Sequence, residues 1–236
     1  MLLSRPDILR HIKNGTVVID PFDGRNLKTT SYDMTLGEYY WRESHPSGRA
    51  TIHNMYDEKS TSFIWNGPHR AELAKDLRKR MDIPSLKGIA DTDRVILLGP
   101  GETILGHTRE FIGGRKNAVG KMYARSSMGR NFIEVCKDAG WGDVGYINRW
   151  TMEITNNSQH FTIPLVVGRR IAQMVFYEVT PLDEKSDYAT EQGKYQLAQD
   201  LKELKKTWTP HQMVPRLHLD WEALEAEKGK SIKKKK

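Results

Sequence analysis

The sequence predicts a mainly β protein, a barrel or jelly roll with helices at its periphery. Short segments rich in β-branched and aromatic residues recur along the chain, and turn-forming residues separate them. Such short intervals are typical of barrels and jelly rolls rather than of βαβ folds. The predicted strands are Val17–Ile19, Met34–Leu36, Tyr39–Trp41, Val95–Leu98, Thr103–Gly106, Lys121–Tyr123, Trp150–Thr155, Phe161–Val166 and Gln173–Glu178.

The chain begins with a predicted helix from Ser4 to Lys13. Ser4 is a favoured N-cap, Pro6 lies in the first turn, and Ile8, Leu9 and Ile12 fall on one side. This helix is expected at the periphery of the β structure.

At 236 residues, 38% of them hydrophobic, the chain is long enough for one sizeable core. We predict a single domain over residues 1–200, with an insertion at residues 42–93, and a C-terminal extension at residues 201–236. Helical spacing in the insertion predicts an amphipathic helix between Pro68 and Pro84, packed on the barrel or on a neighbouring subunit. Its apolar residues are Ala71, Leu73, Ala74, Leu77 and Met81.

Charge and hydropathy limit the possible partners. The net charge is +7, but residues 227–236 hold six lysines against one glutamate and so supply +5 of it. A nucleic-acid-binding surface is therefore not expected, and the lysine-rich tail is predicted to be solvated and disordered. No apolar run approaches membrane-spanning length, and the first six residues lack a signal-peptide core, so a soluble cytoplasmic protein is expected.

Residues 125–130 place two hydroxyls and two guanidinium groups where a helix could begin. Unpaired N–H groups and the dipole at a helix start favour an anion. Ser126 and Ser127 can add hydrogen bonds, and Arg125 and Arg130 can add charge-assisted contacts. The same residues also fit an ordinary helix cap with a solvated arginine, because Ser is a favoured N-cap. Both interpretations stay open on these residues alone.

Two carboxylates follow, ten residues apart. Asp143 lies among glycines, where Asp is ordinarily a turn former. Glu153 lies on a predicted strand in which Met152 and Ile154 point into the core and Glu153 points the other way. Alternation alone favours a solvated glutamate. A desolvated carboxylate with a raised pKa would instead suit general-base catalysis.

Several motifs together resemble the deoxycytidine triphosphate (dCTP) deaminases of the trimeric dUTPase superfamily. The most specific are Arg-Ser-Ser-x-Gly-Arg at residues 125–130, Ala-Gly-Trp-x-Asp-x-Gly at residues 139–145, and Glu153. Further segments that resemble the family lie at residues 18–23, 31–37, 100–102, 168–173 and 193–196. The resemblance covers residues 1–41 and 94–200, and Ala139-Gly140-Trp141 is most similar to bifunctional dCTP deaminase–dUTPases.

The resemblance implies a dUTPase-like distorted jelly roll that forms a homotrimer with active sites shared between subunits. It implies that Glu153 activates water for attack on C4 of cytosine and that Asp143 orients water toward the α-phosphate. One pocket would then convert dCTP to dUMP, ammonia and pyrophosphate. The implied substrate-binding residues are Arg125, Ser126, Ser127, Arg130, Asp138, Ala139, Tyr188, Lys194, Tyr195 and Gln199. The last four belong to a predicted C-terminal flap.

The cysteine content bears on the cofactor. Cys136 is the one cysteine, so the thiolate pair with which zinc-dependent nucleobase deaminases hold their metal is absent. Deamination without zinc requires a carboxylate to activate water. We expect Mg²⁺ to be bound through the nucleotide phosphates and no metal to be held by side chains alone.

The chain departs from the family pattern at several positions. Cys136, Lys137 and Asp138 occupy the loop whose backbone pairs with the pyrimidine in the family, and Val144 and Asn148 stand where other residues are common. These changes leave open a preference for dCMP or a modified cytosine. Two further alternatives remain. One is a dUTPase-like, nucleotide-gated regulatory protein. The other is a nucleic-acid-binding barrel, which only the lysine tail supports.

Overall fold

The computed structural model describes residues 1–46, 52–182, 188, 193–196, 198 and 200–226. Within these ranges the chain is mainly β, as predicted. Its strands are β1 Val17–Asp20, β2 Tyr32–Thr35, β3 Tyr39–Glu43, β4 Trp65–Arg70, β5 Glu72–Leu73, β6 Arg94–Leu98, β7 Thr103–Gly114, β8 Ala118–Ala124, β9 Ile133–Val135, β10 Trp141–Gly142, β11 Ile147–Asn156, β12 Ile163–Val166 and β13 Arg170–Glu178. The predicted lysine-rich tail, residues 227–236, lies outside the described residues.

The strands form three antiparallel sheets. The six-stranded sheet has the order β4-β3-β7-β11-β9, and β1 also pairs with β7. The four-stranded sheet has the order β10-β8-β13-β2, and the three-stranded sheet has the order β12-β6-β5. Strand β7 is twelve residues long, whereas the sequence predicted only its first four, because its later residues pair with both β1 and β11.

The described helices are short and lie before, between and after the strands. They are α1 Arg5–Lys13, α2 Glu58–Ile64, α3 Ala74–Met81, α4 Ser126–Gly129 and α5 Leu201–Thr207, with residues 221–226 also helical. Ser4 is the N-cap of α1, as predicted, and its hydroxyl donates a hydrogen bond to Oδ2 of Asp7 at 2.5 Å. No helix in the described part of the chain combines the length and the apolar character that crossing a membrane requires.

The main core lies between the sheets and is built from alternating residues of the strands. Tyr32, Met34, Met152, Ile154 and Phe176 are fully buried in it. The predicted alternation on β11 is confirmed, because Met152 and Ile154 enter this core while the residue between them faces the other side. That residue is Glu153.

The inserted helix is shorter than predicted. It begins at Ala74 rather than at residue 71, because Glu72 and Leu73 pair as a strand with Val95 and Arg94. The side chain of Met81 is 44% exposed and so does not share the buried face of Ala74 and Leu77. Tertiary pairing with the neighbouring strand therefore overrides the helical spacing at the start of this segment.

The C-terminal extension packs back on the six-stranded sheet. The guanidinium carbon of Arg149, on β11, lies 4.6 Å from the ring centroid of Trp208. Nε1 of Trp41 on β3 donates a hydrogen bond to the carbonyl oxygen of Pro210 at 2.9 Å. The extension therefore lies against strands β3 and β11 of this sheet.

Candidate functional site

Glu153 lies in the wall of a pocket of about 320 Å³. Its strand β11 pairs with β7, where Glu153 is opposite Leu105, and a register shift between Arg149 and Thr151 precedes it. The pocket is lined by Leu105, Ala139, Trp141, Gly142, Asp143, Tyr146, Trp150, Thr151, Glu153, Tyr188, Tyr195, Met213 and Pro215. Glu153 is therefore a carboxylate enclosed mostly by aromatic and apolar side chains.

The surroundings of Glu153 adjust its acidity. Burial raises the pKa of the Glu153 carboxyl, while a hydrogen bond to its own backbone and the positive charge of Lys137 lower it to a smaller extent. A carboxylate with a raised pKa is a stronger base than one in water, which is what proton abstraction from water requires.

Asp143 lies in the same pocket, in the turn after β10. Nε1 of Trp141 donates a hydrogen bond to Oδ1 of Asp143 at 3.0 Å, and the backbone N–H of Tyr146 donates to its carbonyl oxygen at 3.0 Å. Residue Trp141 is 57% exposed, so this bond forms at the mouth of the pocket. Two carboxylates in different environments thus line one cavity.

The described part of the predicted flap covers this pocket. The backbone N–H of Tyr188 donates to the carbonyl oxygen of Val144 at 2.8 Å, and the side-chain amide of Asn148 donates to the carbonyl oxygen of Tyr195 at 2.7 Å. The rings of Tyr188 and Tyr146 meet edge to face, with centroids 5.0 Å apart. Gln199, also predicted in the flap, lies outside the described residues.

Gln196 fixes the flap from within the protein. Its Oε1 accepts a hydrogen bond from the N–H of Ile147 at 2.7 Å, and its Nε2 donates to the carbonyl oxygen of Gly145 at 3.0 Å. Sequence reasoning assigned no binding role to Gln196 or Asn148. The unusual asparagine at position 148 can be seen in the sequence. Its hydrogen bond to the flap cannot be predicted from there, because it depends on where the flap docks.

The loop between β9 and the pocket has an uncommon backbone. Cys136, Lys137 and Asp138 have φ values of 63°, 37° and 60°, in the left-handed region that residues with a Cβ rarely adopt. The loop ends at Ala139, which lines the pocket, whereas the Asp138 side chain is exposed and is absent from the lining. Burial raises the pKa of the Cys136 thiol to about 11, so the thiol stays protonated near neutral pH.

Arg125 lies in a second cleft, of about 850 Å³. It is lined by Pro21, Phe22, Asp23, Gly24, Arg25, Asn26, Thr35, Arg109, Glu110, Arg125, Gly168, Arg169 and Arg170, and we call it the arginine cleft. Nε of Arg125 and Nη1 of Arg170 lie 3.6 Å and 3.0 Å from the two carboxylate oxygens of the buried Asp33. Five arginines against two acids give the lining a positive formal charge. Four of these arginines are paired with carboxylates: Arg125 and Arg170 with Asp33, Arg25 with Asp23, and Arg169 with Asp93.

The predicted phosphate segment forms helix α4, as expected from its sequence. Arg125 is the N-cap residue, and Ser126, Ser127 and Arg130 are exposed. Those three side chains line neither the Glu153 pocket nor the arginine cleft. Within one chain, the fold therefore brings Glu153, Asp143, Ala139, Tyr188 and Tyr195 together and leaves the phosphate segment apart from them.

No group of three or more His, Cys, Asp or Glu side chains is arranged to hold a metal ion within the described ranges. The ammonium group of Lys194, a predicted phosphate ligand, is paired with the carboxylate of Asp220.

The fold of this chain is similar to that of a solved enzyme structure. The crystal structure of 2'-deoxycytidine 5'-triphosphate deaminase from Agrobacterium tumefaciens matches with a TM-score of 0.50 and 18% identity, over 75% of this chain. The chain spans about half of that structure, 48% of its length. The class of fold is thus the one that dCTP deaminases use.

The sequence comparisons show the family. The model of the dCTP deaminase-like family matches residues 2–179, and the chain belongs to this family. It is 27% identical to a dUMP-forming dCTP deaminase of Beutenbergia cavernae over 83% of this chain and 90% of the relative. It is 30% identical to one of Methanococcus aeolicus over 75% of this chain and 83% of the relative. The resemblance drawn from the motifs is confirmed.

Proposed function

We propose that the protein hydrolyses the exocyclic amino group of a deoxycytidine nucleotide, with dCTP as the preferred substrate, and then cleaves the resulting dUTP to dUMP and pyrophosphate. The observation that carries this proposal is Glu153, a carboxylate whose pKa is raised by burial in an aromatic pocket. The names of the relatives, dUMP-forming dCTP deaminases, support the choice of substrate and product.

In the proposed deamination, Glu153 takes a proton from water while the water oxygen bonds to C4 of the cytosine. This proton passes to N3 as the C4–N3 double bond opens. The proton of the new C4 hydroxyl then passes through Glu153 to the amino group, the C4–N4 bond breaks, and ammonia leaves as the C4 carbonyl forms. Aromatic walls exclude bulk water and so strengthen the interactions of the carboxylate. The backbone of the loop that ends at Ala139 would hydrogen-bond the pyrimidine edge, as the family resemblance implies.

In the second proposed step, Asp143 orients a water molecule toward the α-phosphate. Its Oδ1 accepts from Nε1 of Trp141, which fixes the carboxylate, and the water would bind at Oδ2. Magnesium would enter on the nucleotide phosphates, because this ion prefers phosphate oxygens and water to a cage of side chains. Bound there, it would neutralise charge on the leaving pyrophosphate.

We further propose that the enzyme is a homotrimer in which adjacent subunits share each site. The Glu153 pocket and the arginine cleft share no lining residue, which supports a nucleotide held between two copies of the chain. One copy would supply Glu153 and Asp143, and its neighbour would supply Arg125, Ser126, Ser127 and Arg130 to the phosphates. The flap residues Tyr188, Lys194, Tyr195 and Gln199 would close over the bound nucleotide.

The first experiment identifies the substrate. Purified protein is incubated separately with dCTP, dCMP and dUTP in the presence of Mg²⁺, and the products are resolved by chromatography. We expect dUMP, ammonia and pyrophosphate from dCTP, and loss of ammonia release in Glu153→Gln. Asp143→Asn should stop pyrophosphate release from dUTP while ammonia release from dCTP stays measurable. A Glu153→Gln variant as fast as the parent would contradict the assigned base.

Complementation tests the shared site. Glu153→Gln and Arg125→Ala should each be inactive alone, because each lacks one half of every site. Mixed under conditions that allow subunit exchange, they should regain activity, since some sites then combine the intact Glu153 with the intact Arg125. Light scattering measures the oligomeric state. A mixture that stays inactive while mixed oligomers form would contradict sharing between subunits.

A further inference from the structure

The C-terminal extension contributes directly to the Glu153 pocket. Met213 and Pro215 are part of its lining, although the family match ends at residue 179. Met213 is buried against Trp41 and Leu105, and Leu105 is also the residue opposite Glu153 on the neighbouring strand. The extension therefore forms a wall of the pocket.

The same extension holds the flap by three contacts. Nη1 of Arg216 donates a hydrogen bond to the carbonyl oxygen of Lys194 at 2.8 Å. The backbone N–H of Arg216 donates to the hydroxyl of Tyr195 at 3.1 Å. The third contact is the ion pair between the ammonium group of Lys194 and Oδ1 of Asp220. Lys194 and Tyr195, two of the flap residues that we propose to close over the nucleotide, are thus both bound by the extension.

The Lys194–Asp220 pair is only partly open to solvent. The exposed fractions of the two side chains are 31% and 26%. The Lys194 ammonium also lies 5.8 Å from the ring centroid of Tyr195, so its position is fixed by the ring as well as by the carboxylate. The carboxylate takes one of the three N–H donors of this ammonium group and neutralises its charge, so the group attracts a phosphate less strongly while the carboxylate remains bound.

We propose that Asp220 is a positioning residue that holds Lys194 until a phosphate group of the nucleotide displaces its carboxylate. The inference rests on the proposed function, since it takes the nucleotide to be the anion that Lys194 receives. A polyphosphate carries more negative charge than one carboxylate, so it competes successfully for the ammonium group. The exchange lowers the affinity for the nucleotide, because breaking the ion pair opposes binding.

The test compares Asp220→Asn with two matched variants. Asp220→Glu retains the carboxylate, and Glu222→Gln removes one negative charge from an exposed neighbouring position of the extension. Asp220→Asn is expected to lower KM for dCTP by roughly two- to fivefold, the range for a partly exposed ion pair, with kcat unchanged. The other two variants should keep the KM of the parent.

Binding without turnover provides the second readout. The dissociation constant for dCTP, measured by calorimetry in the Glu153→Gln background, should fall by the same factor when Asp220→Asn is added. If the parent is active and Asp220→Asn leaves KM for dCTP unchanged or raises it, the role of Asp220 is overturned. The proposed function then still stands. A parent that releases no ammonia from any deoxycytidine nucleotide overturns both.

Discussion

Asn148 on β11 donates a side-chain hydrogen bond to the carbonyl oxygen of Tyr195 at 2.7 Å. Asn148 is buried, with 2% of its surface exposed, and its Oδ1 accepts from the N–H of Arg149 at 2.9 Å. One amide thus joins the strand that carries Glu153 to the flap that covers the pocket. The docked position of the flap depends on this strand as much as on the flap residues.

Asn148→Ala should loosen the flap. The carbonyl of Tyr195 loses its donor, and a buried hydrogen bond contributes about 0.5–1.5 kcal/mol, so we expect KM for dCTP to rise roughly two- to tenfold. Steady-state kinetics measures this change. Asn117→Ala, which removes an amide bonded to Glu178, is the control and should leave KM unchanged. Equal KM values in the two variants would show that Asn148 does not hold the flap.

Lys137→Gln should move the acidic limb of the pH–rate profile to higher pH. The charge of Lys137 lowers the pKa of Glu153 against the effect of burial, so its removal raises that pKa further. A general base must be ionised to act, and a higher pKa requires a higher pH for the same ionised fraction. The measurement is kcat/KM against pH. A limb that stays in place, or moves to lower pH, would contradict this electrostatic contact.

Gly37→Ala should destabilise the protein. A Cβ at this position would lie 2.0 Å from Cε1 of His107, a buried ring that packs against Trp208. Overpacking of this kind costs about 1–3 kcal/mol and sometimes more, so we expect a loss near the upper end. Gly24→Ala is the matched control, because its nearest contact would be 4.0 Å away. Urea unfolding measures both, and similar midpoints would contradict the predicted clash.

The free energy of unfolding should also fall as the pH drops below the ordinary pKa of histidine, 6.5. Burial lowers the pKa of His107 from 6.5 to about 4. Between those values the unfolded chain binds a proton that the folded protein excludes, so stability is full above pH 6.5 and is lost progressively toward pH 4. The difference between the two pKa values corresponds to a loss of about 3 kcal/mol of stability at most.

His107→Gln removes the titrating group and tests this contribution. The free energy of unfolding, measured by urea between pH 7 and pH 4.5, should depend less steeply on pH in the variant than in the parent. The comparison concerns the slope, so a uniform loss of stability in His107→Gln does not affect it. Identical slopes would exclude His107 as a source of acid sensitivity.

The fold class and nearly all the central strands follow from the sequence, because alternation on strands such as β11 reflects direct burial in the core. The insertion was harder to predict. Residues 71–81 have helical spacing, yet Glu72 and Leu73 pair with β6, a partner more than twenty residues later in the chain. Local periodicity carries no information on such pairing.

The candidate site likewise has some features that the sequence predicted and others that it did not. The motifs place Glu153, Asp143 and Ala139, and the structure brings them to one pocket. The contacts of Gln196, Asn148 and Met213 were not predicted, since each depends on segments that meet only after folding. The Lys194–Asp220 pair likewise joins residues that no motif connects.

By itself, the sequence determined the family, the β architecture and the identity of the two pocket carboxylates, because these depend on residue type, spacing and alternation. Only the tertiary structure decided how acidic Glu153 is, which residues hold the flap, and that the arginine cleft lies apart from the pocket. Burial, docking and the separation of two clefts are properties of the packed chain, and they arise from contacts between residues distant in sequence.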